Sequence, residues 1–378
     1  MRIMHIIHSL RRGGAERVAL NLARGMVKSG HEVCVVSLLD LDDYDDIDRT
    51  KAEVRFLIPA ASYNWPSSCF ILSKRLHKEI LTFRPSVILT HTPTATIVLG
   101  LAGAKCPTLS VFHGYGDMLT RKRIKQHLFA ILHDWALRRV KAEAVVVCNG
   151  LADVVRQRVG IPAMKIRCIP NGIDLEKFIP RPVRTLIEPD VLVIGTLSEV
   201  KRPLDAVSAF SQLLEMVPGA KLTFVGDGPL RGDVVKSVAR LGLKRKIRFL
   251  GLRKDVPELL RTAALVWQLS RSEGMPLACI EAMACAVPVI ATRVGGIPEL
   301  IRHGVTGFVV DVGDTRAVAT ISAHLLGDQE LYANISAAST AFARDRFDQR
   351  KMVASYLEII EELVQGATVV NFNRGARV

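Results

Sequence analysis

Short apolar runs alternate with helical stretches along almost the whole chain, and this alternation restarts once. In the first half the runs are Arg2–Ile7, Glu32–Leu38, Val54–Ile58, Ser86–Thr90, Thr108–Phe112, Ala144–Cys148 and Ile166–Ile169. Helical patterns fall between them at Glu16–Lys28, Ser73–Phe83 and Thr120–Lys141. Gly30 follows the first helix, where a left-handed cap is often needed. Strands that are apolar on both faces, joined by helices, predict a parallel, doubly wound sheet. Pro170-Asn171-Gly172, then Pro180, Pro182 and Pro189, interrupt the pattern and read as a linker. Beyond it, strand-like runs return at Val191–Gly195, Lys221–Val225, Ile247–Leu250, Ala264–Leu269, Val287–Ala291 and Phe308–Val310. Helices are expected at Leu204–Met216, Leu230–Leu241, Val256–Ala263, Pro276–Cys285 and Thr315–Leu326.

A chain of 378 residues is too long for one ordinary core. The expectation is therefore an α/β protein of two tandem Rossmann-like domains, 1–170 and 191–350, joined by the linker 171–190. Doubly wound sheets bind ligands at the carboxyl ends of their strands, so the two domains are expected to face each other across a cleft. An amphipathic helix over 351–365 can return to brace the first domain, and 366–378 reads as a frayed tail.

Charge is unevenly spread. The net charge is +14, of which +11 lies in residues 1–170, with 25 Lys and Arg against 14 Asp and Glu. Such a field suits an anionic membrane surface, an anionic acceptor or nucleic acid, or serves solubility alone. The seven cysteines are scattered without a CxxC pair, which argues against a disulfide framework or a zinc site and for a reducing compartment. The first run reads as a strand rather than a signal peptide, and the longest apolar run, near Ala95–Ala104, is far shorter than a bilayer. A soluble, cytoplasmic protein is expected.

The stretch Leu269–Val294 carries two glutamates, Glu273 and Glu281, with Pro276 between them. Proline favours the first turn of a helix, so a helix starts near Pro276 and Glu281 lies about one turn inside it. On one continuous helix the eight positions would separate the carboxylates by ~12 Å. A loop before Pro276 can instead fold Glu273 back over the helix start. The free N–H groups and positive dipole end there suit a phosphate. Carboxylates that accept hydroxyl hydrogen bonds, beside such a helix start, suggest a nucleotide-sugar pocket.

The ordered set of motifs resembles the family 4 glycosyltransferases of the GT-B fold. It comprises GGAE at Gly13–Glu16, His113-Gly114, PNGID at Pro170–Asp174, Lys201, GDGP at Gly226–Pro229, EGMPLACIE at Glu273–Glu281 and GGIPE at Gly295–Glu299. The resemblance implies a retaining, metal-independent transfer from a nucleotide-diphosphate sugar, expected to be a UDP-sugar, with no cofactor. It implies that Gly13 and Gly14 face the donor diphosphate and that Glu16, His91 and His113 lie on the acceptor side. His113 would contact the donor sugar, Glu273 its hydroxyls, and Glu281 the ribose. Lys201 and Arg202 would meet the diphosphate charge. Gly226 and Arg253 would lie beside the nucleotide, with Gly274, Met275, Pro276 and Leu277 forming the donor wall. His113, Lys201 and Glu273 are the expected catalytic residues. Relatives typically carry Arg-Leu where this chain has Thr196-Leu197, so one phosphate cation is missing; Arg202 or Arg231 could replace it. Relatives often carry an aspartate where this chain has Leu265, with at most a structural effect expected.

Two further features stand outside this set. Asp40-Leu41-Asp42 and Asp46-Ile47-Asp48 match a DxD metal pattern, but they sit in an acidic run that reads as a solvated loop. No metal is expected. Thr120–Lys141 interleaves seven Lys and Arg with Leu128, Phe129, Ile131, Leu132 and Trp135. It is either a helix lying on an anionic membrane surface or one packed on its own domain. The reading that follows is a transferase acting on a glycan or polyprenyl-diphosphate-linked acceptor in envelope polysaccharide synthesis, peripheral on the inner face of the membrane. The competing readings are a GT-B-type nucleotide-sugar 2-epimerase and a basic, non-catalytic binding protein. No nucleic-acid motif is present, so no specific nucleic-acid partner is expected.

Overall fold

A computed structural model of the chain describes residues 1–44, 52–114, 124–180 and 189–375. It consists of two compact units, Met1–Gly172 with Gln349–Val378, and Ile173–Asp348.

The first unit is built on a seven-stranded sheet of β1 (Arg2–Ile7), β2 (Glu32–Asp40), β3 (Glu53–Pro59), β4 (Val87–Thr90), β5 (Thr108–Phe112), β6 (Glu143–Val146) and β7 (Ile166–Cys168). Every pairing is parallel, in the order β3-β2-β1-β4-β5-β6-β7. Strands buried on both faces explain the unbroken apolar runs, because helices cover each side of the sheet. The covering helices are α1 (Gly14–Lys28), α2 (Ser68–Phe83), α3 (Pro93–Ala102), α4 (Ile124–Val140) and α5 (Asn149–Val154). The sequence pattern did not reveal α3 and α5. Seven of the ten α3 residues are buried, so the helix carries no polar face to make a helical period visible.

The second unit repeats the plan with β8 (Asp190–Ile194), β9 (Lys221–Val225), β10 (Ile247–Phe249), β11 (Leu265–Gln268), β12 (Val289–Thr292) and β13 (Phe308–Val310). Their order is β10-β9-β8-β11-β12-β13, again all parallel. Its helices are α6 (Pro203–Met216), α7 (Arg231–Arg240), α8 (Val256–Thr262), α9 (Leu277–Ala284), α10 (Ile297–Leu300), α11 (Thr315–Gly327) and α12 (Gln329–Arg346). The expected strand bounds hold within two residues throughout both units.

The 18-residue α12 was missed altogether in the sequence pattern. Its buried side includes Ser336, Ser339 and Ala343 beside Tyr332 and Ile335, so small and hydroxylated residues replace the expected apolar stripe. Tyr332 anchors it by donating to the Ala264 carbonyl at 2.8 Å, and Trp267 on β11 donates to Ser322 of α11 at 3.0 Å.

Three expectations about boundaries change. Residues 171–180 are not a loose linker: Ile173 donates its amide to Phe347 at 2.8 Å, and Leu175 and Phe178 are buried. Residues 181–188 of that expected linker, with Pro182, lie outside the described residues. The last helix, α13 (Gln349–Gly375), is longer than 351–365 and continues through most of the expected tail. It belongs to the first unit, where Val353 meets Gly25 of α1 so closely that a Cβ on Gly25 would lie 2.4 Å from Val353 Cγ2. Arg167 and Glu362 form an ion pair at 3.3 Å in the same unit. No helix among the described residues is long and apolar enough to cross a membrane.

Candidate active site

In an all-parallel sheet, the chain leaves neighbouring strands in opposite directions at the point where the order reverses, and a crevice opens there. In the second unit that point lies between β8 and β11. The loop after β8 carries Lys201, and the loop after β11 carries Ser270 and Glu273. Lys201 Nζ donates to Glu273 Oε1 at 2.6 Å. Two further donors converge on the same oxygen, Gln268 Nε2 at 2.7 Å and Ser270 Oγ at 2.5 Å. Thr292 at the end of β12 in turn donates to the Ser270 carbonyl at 2.5 Å. The Glu273 side chain is 9% exposed and that of Lys201 is 29% exposed. The carboxylate is therefore fixed while the ammonium keeps access to solvent.

Glu273 and Lys201 lie close enough to the first turn of α9 for both charges to act on Cys279. The Cys279 thiol, on that turn, is pushed well above its usual range by burial and by the Glu273 carboxylate, with Lys201 opposing. Pro276 precedes the helix with φ −70°, as expected from the sequence. The amides of the first helical turn have no partners within the helix and point back toward the loop. Gly274 accepts from the Gly296 amide at 2.9 Å, which ties the GGIPE segment to this loop. Met275, Pro276 and Leu277 are buried against the unit. Glu281, 1% exposed, sits on the inner side of α9 and is far less accessible than Lys201.

The GDGP turn has a structural task that explains its glycines. Gly195, at the end of β8, donates to the Val225 carbonyl at 2.9 Å, and Leu197 donates to the Asp227 carbonyl at 3.0 Å. The two loops run backbone against backbone. A Cβ at Gly226 would fall 2.1 Å from the Gly195 oxygen, and one at Gly228 would fall 2.5 Å from the Leu197 oxygen. Gly226 holds φ +141°, in a region side chains rarely adopt. The turn thus fixes the loop that presents Lys201.

The three candidate accessory cations are each engaged locally. Arg202 pairs with Asp205 at 2.6 Å, Arg231 with Asp227 at 2.7 Å and Arg253 with Asp255 at 2.5 Å. Arg202 itself sits in the left-handed region, φ 49°, directly before α6. Solvent screens such surface pairs, so an arriving phosphate can compete for the guanidinium. Thr196, in the same loop as Lys201, stands where the resemblance led one to expect a cation. Leu265 begins β11 and is fully buried in the core.

In the first unit the order reverses between β1 and β4. Gly13 ends the loop after β1 and precedes α1, and Tyr44 Oη donates to its carbonyl at 3.1 Å. The Glu16 carboxylate folds back over Gly13, leaving 2.2 Å between its Oε2 and a Cβ placed there. Burial raises the Glu16 carboxyl above its ordinary value. A Cβ on Gly14 would meet open space. His113 follows β5 directly, as expected. His91 follows β4 and is 2% exposed. It lies between His113 and His5, a residue that the sequence pattern passed over. The signal was present as a polar side chain inside an apolar strand, and Gln268 in β11 gave the same signal. Asp42 uses its Oδ1 to accept from the Tyr44 amide at 2.9 Å. Asp46 and Asp48 lie outside the described residues.

Of the segment 120–141, residues 120–123 lie outside the described residues. The remainder, α4, has two apolar sides. Ala130, His133, Ala136, Leu137 and Val140 are buried, while Leu128, Ile131 and Trp135 are exposed. Asp134, Arg138 and Arg139 share with Ile131 and Trp135 a groove of about 610 Å³.

Buried imidazoles make the first unit acid-sensitive. Desolvation pushes His5 down to about 3, and His113 and His133 down to about 4. Unfolded, each protonates near its ordinary value of about 6.5, so below that pH the unfolded chain binds more protons than the folded one. Stability from these groups is therefore lost as pH falls from about 6.5 to 4. Thermal unfolding followed by the fluorescence of Trp65 and Trp135 should drop in midpoint from pH 7 to 5, and less so in His133→Phe. A flat midpoint across that range would contradict it.

Comparison with known proteins adds to this geometry. Residues 12–177 match the family model "Glycosyltransferase Family 4" and residues 177–342 match "Glycosyl transferases group 1". Over 212 residues the chain is 36% identical to the N-acetyl-alpha-D-glucosaminyl L-malate synthase of Bacillus anthracis, covering 54% of this chain. It spans only about half of that relative, 55%. Over 299 residues it is 28% identical to the UDP-Gal:alpha-D-GlcNAc-diphosphoundecaprenol alpha-1,3-galactosyltransferase of Escherichia coli, covering 72% of this chain and 74% of the relative. The fold is similar to that of Anabaena HepE in complex with UDP-glucose, with TM-score 0.81, 24% identity and coverage of 96% and 100% of the two chains. Sucrose-phosphate synthase from Thermosynechococcus elongatus gives TM-score 0.81 at 19% identity, over 97% and 100%.

Proposed function

Because the chain belongs to glycosyltransferase family 4 and has the GT-B fold, we propose that it is a retaining glycosyltransferase using a UDP-sugar. The observation that carries this reading is the Lys201–Glu273 pair at the order reversal between β8 and β11, near Cys279 of α9. A diphosphate that leaves a sugar carries growing negative charge, and preorganised cations and amides stabilise that charge most where water is excluded. Lys201 and the first-turn amides supply both without a metal. Glu273 accepts hydrogen bonds from the transferred sugar, and Glu281 from the ribose. In the first unit, His113 and the Gly13-Gly14 loop are the residues this reading assigns to substrate contact. No side-chain nucleophile is required: the acceptor hydroxyl attacks the face that the diphosphate leaves, and the departing oxygen takes its proton. Catalysis then rests on positioning and charge stabilisation.

The acceptor in this reading is a glycan or a polyprenyl-diphosphate-linked glycan of the cell envelope. The basic first half and the similarity to a diphosphoundecaprenol-dependent galactosyltransferase favour it. The exposed Leu128, Ile131 and Trp135 beside Arg138 and Arg139 provide contact with an anionic membrane.

Melting measured with UDP-, GDP- and ADP-sugars tests the donor. A ligand that binds only the folded state raises the midpoint, by about 2.7 kcal/mol of stability at 100 times its Kd. UDP-sugars should raise it in the parent and much less in Glu273→Ala. A shift with GDP- or ADP-sugars alone would refute the donor assignment, and conversion of the donor without any acceptor would instead indicate an epimerase. Flotation with vesicles should require anionic lipid and weaken in Trp135→Ser. Equal flotation of the parent and Trp135→Ser would remove the membrane contact.

A further inference from the structure

Three histidines of the first unit stand in one row across neighbouring strands. β1, β4 and β5 are adjacent and parallel. His5 lies within β1, His91 directly after β4, and His113 directly after β5. His5 Nδ1 is 2.9 Å from His91 Nε2, and His91 Nδ1 is 3.1 Å from His113 Nε2. The His5 and His91 rings are 5.1 Å apart and 6° from parallel, and those of His91 and His113 are 5.4 Å apart and at 24°. His5 and His91 are buried. The nitrogens at the two ends of the row, His5 Nε2 and His113 Nδ1, are buried with no hydrogen-bond partner among the described residues.

Burial keeps all three rings neutral near pH 7. A neutral imidazole has one N–H and one lone pair, so three in series admit only two arrays. In the first, the N–H groups run from His5 toward His113 and leave a spare N–H on His113 Nδ1. In the second they run the other way and leave a spare N–H on His5 Nε2, deep in the sheet. An orphaned buried N–H is rarer than an under-satisfied acceptor, and leaving one costs about 1–3 kcal/mol. Either array leaves one buried N–H without a protein partner among the described residues. In the second it lies on His5, which is fully buried, and nothing can satisfy it; in the first it lies on His113, which is partly exposed at the carboxyl end of the strands, where doubly wound sheets bind ligands and a substrate oxygen can accept it.

We infer that His5 and His91 are positioning residues that hold His113 as its Nδ1–H tautomer, a neutral hydrogen-bond donor to a hydroxyl or carbonyl oxygen of the substrate. The identity of that substrate rests on the glycosyltransferase reading; the tautomer does not. The row has no outlet at His5 Nε2, so it fixes a ring orientation and does not carry protons to solvent. His91 must both accept and donate, which glutamine can reproduce and phenylalanine cannot.

Ring-nitrogen NMR of the full-length protein at pH 7, together with transfer kinetics, tests this. In the parent, His113 should carry its proton on Nδ1. In His91→Phe the His113 proton should move to Nε2, the site that free neutral imidazole favours. Its kcat should then fall about tenfold or more, with donor KM changed less than about threefold. His91→Gln should restore the tautomer and most of the rate, which separates positioning from simple loss of folding. A parent His113 protonated on Nε2, or a His91→Phe variant that turns over at the parent rate, would overturn the inference. If the parent transfers no sugar from any donor, the activity reading fails, while the tautomer measurement still decides whether the row exists.

Discussion

Lys201→Ala is expected to lower turnover by about 10²–10³-fold while the melting midpoint moves by only a few degrees. The asymmetry follows from where the two partners sit. Lys201 keeps 29% of its side chain exposed, whereas Glu273 keeps 9%. Removing the ammonium leaves the Glu273 carboxylate its bonds from Gln268 and Ser270, so the buried acid stays hydrogen-bonded. The stability cost is then that of one partly exposed ion pair, on the order of 1 kcal/mol. Turnover is different, because the charge on a leaving diphosphate appears only in the transition state and a preorganised cation acts there. No other cation among the described residues is placed on the same atom of the site, since Arg202, Arg231 and Arg253 each face their own aspartate. Steady-state kinetics with a UDP-sugar, beside a melting curve, decide the matter. Transfer within about threefold of the parent would remove Lys201 from the mechanism.

Gly226→Ala should have the opposite profile, a loss of the second unit's stability by about 3 kcal/mol or more. Its φ of +141° is a backbone conformation that L side chains rarely adopt. The added Cβ would also lie 2.1 Å from a backbone oxygen of Gly195, which no rotamer change can relieve. Either β8 or β9 must shift, and both belong to the centre of the sheet. A melting midpoint lower by about 6–12 °C is expected for a unit of this size. Gly13→Ala provides the contrast. The atom in its way is the far end of the flexible Glu16 side chain, so the carboxylate can swing aside. An unchanged midpoint in Gly226→Ala would mean that the two loops are not packed backbone against backbone.

Much of the architecture was legible because parallel strands are buried on both faces and so announce themselves as continuous apolar runs. β1, β5, β9 and β13 coincide with the runs read from the sequence. Helices were legible where one face is wet, as in α1 and α6, and failed at the extremes. α3 is buried nearly all round, and α12 buries serines and alanines, so neither shows a period of about 3.6 residues. Proline was a misleading sign of a linker. Around Pro170 and Pro180 it marks extended segments that nonetheless bury Ile169, Leu175 and Phe178.

Site residues divided along the same physical line. That Glu273, Lys201, His113 and the glycine turns sit in loops after strands could be read from the sequence, since a loop at a strand's carboxyl end that carries a charge or two glycines is a local pattern. What the sequence by itself determined was the residue types, the two sheets and the loops in which they sit. Which residues touch was decided by strand order alone: β8 beside β11 brings Lys201 to Glu273 across 72 positions, and β4 between β1 and β5 lines up His5, His91 and His113. A buried imidazole in a strand or a glutamine at its end is a weak signal in isolation. It becomes a hydrogen-bonded partner only when a parallel neighbour, set by a crossover of dozens of residues, places a matching donor or acceptor about 3 Å away.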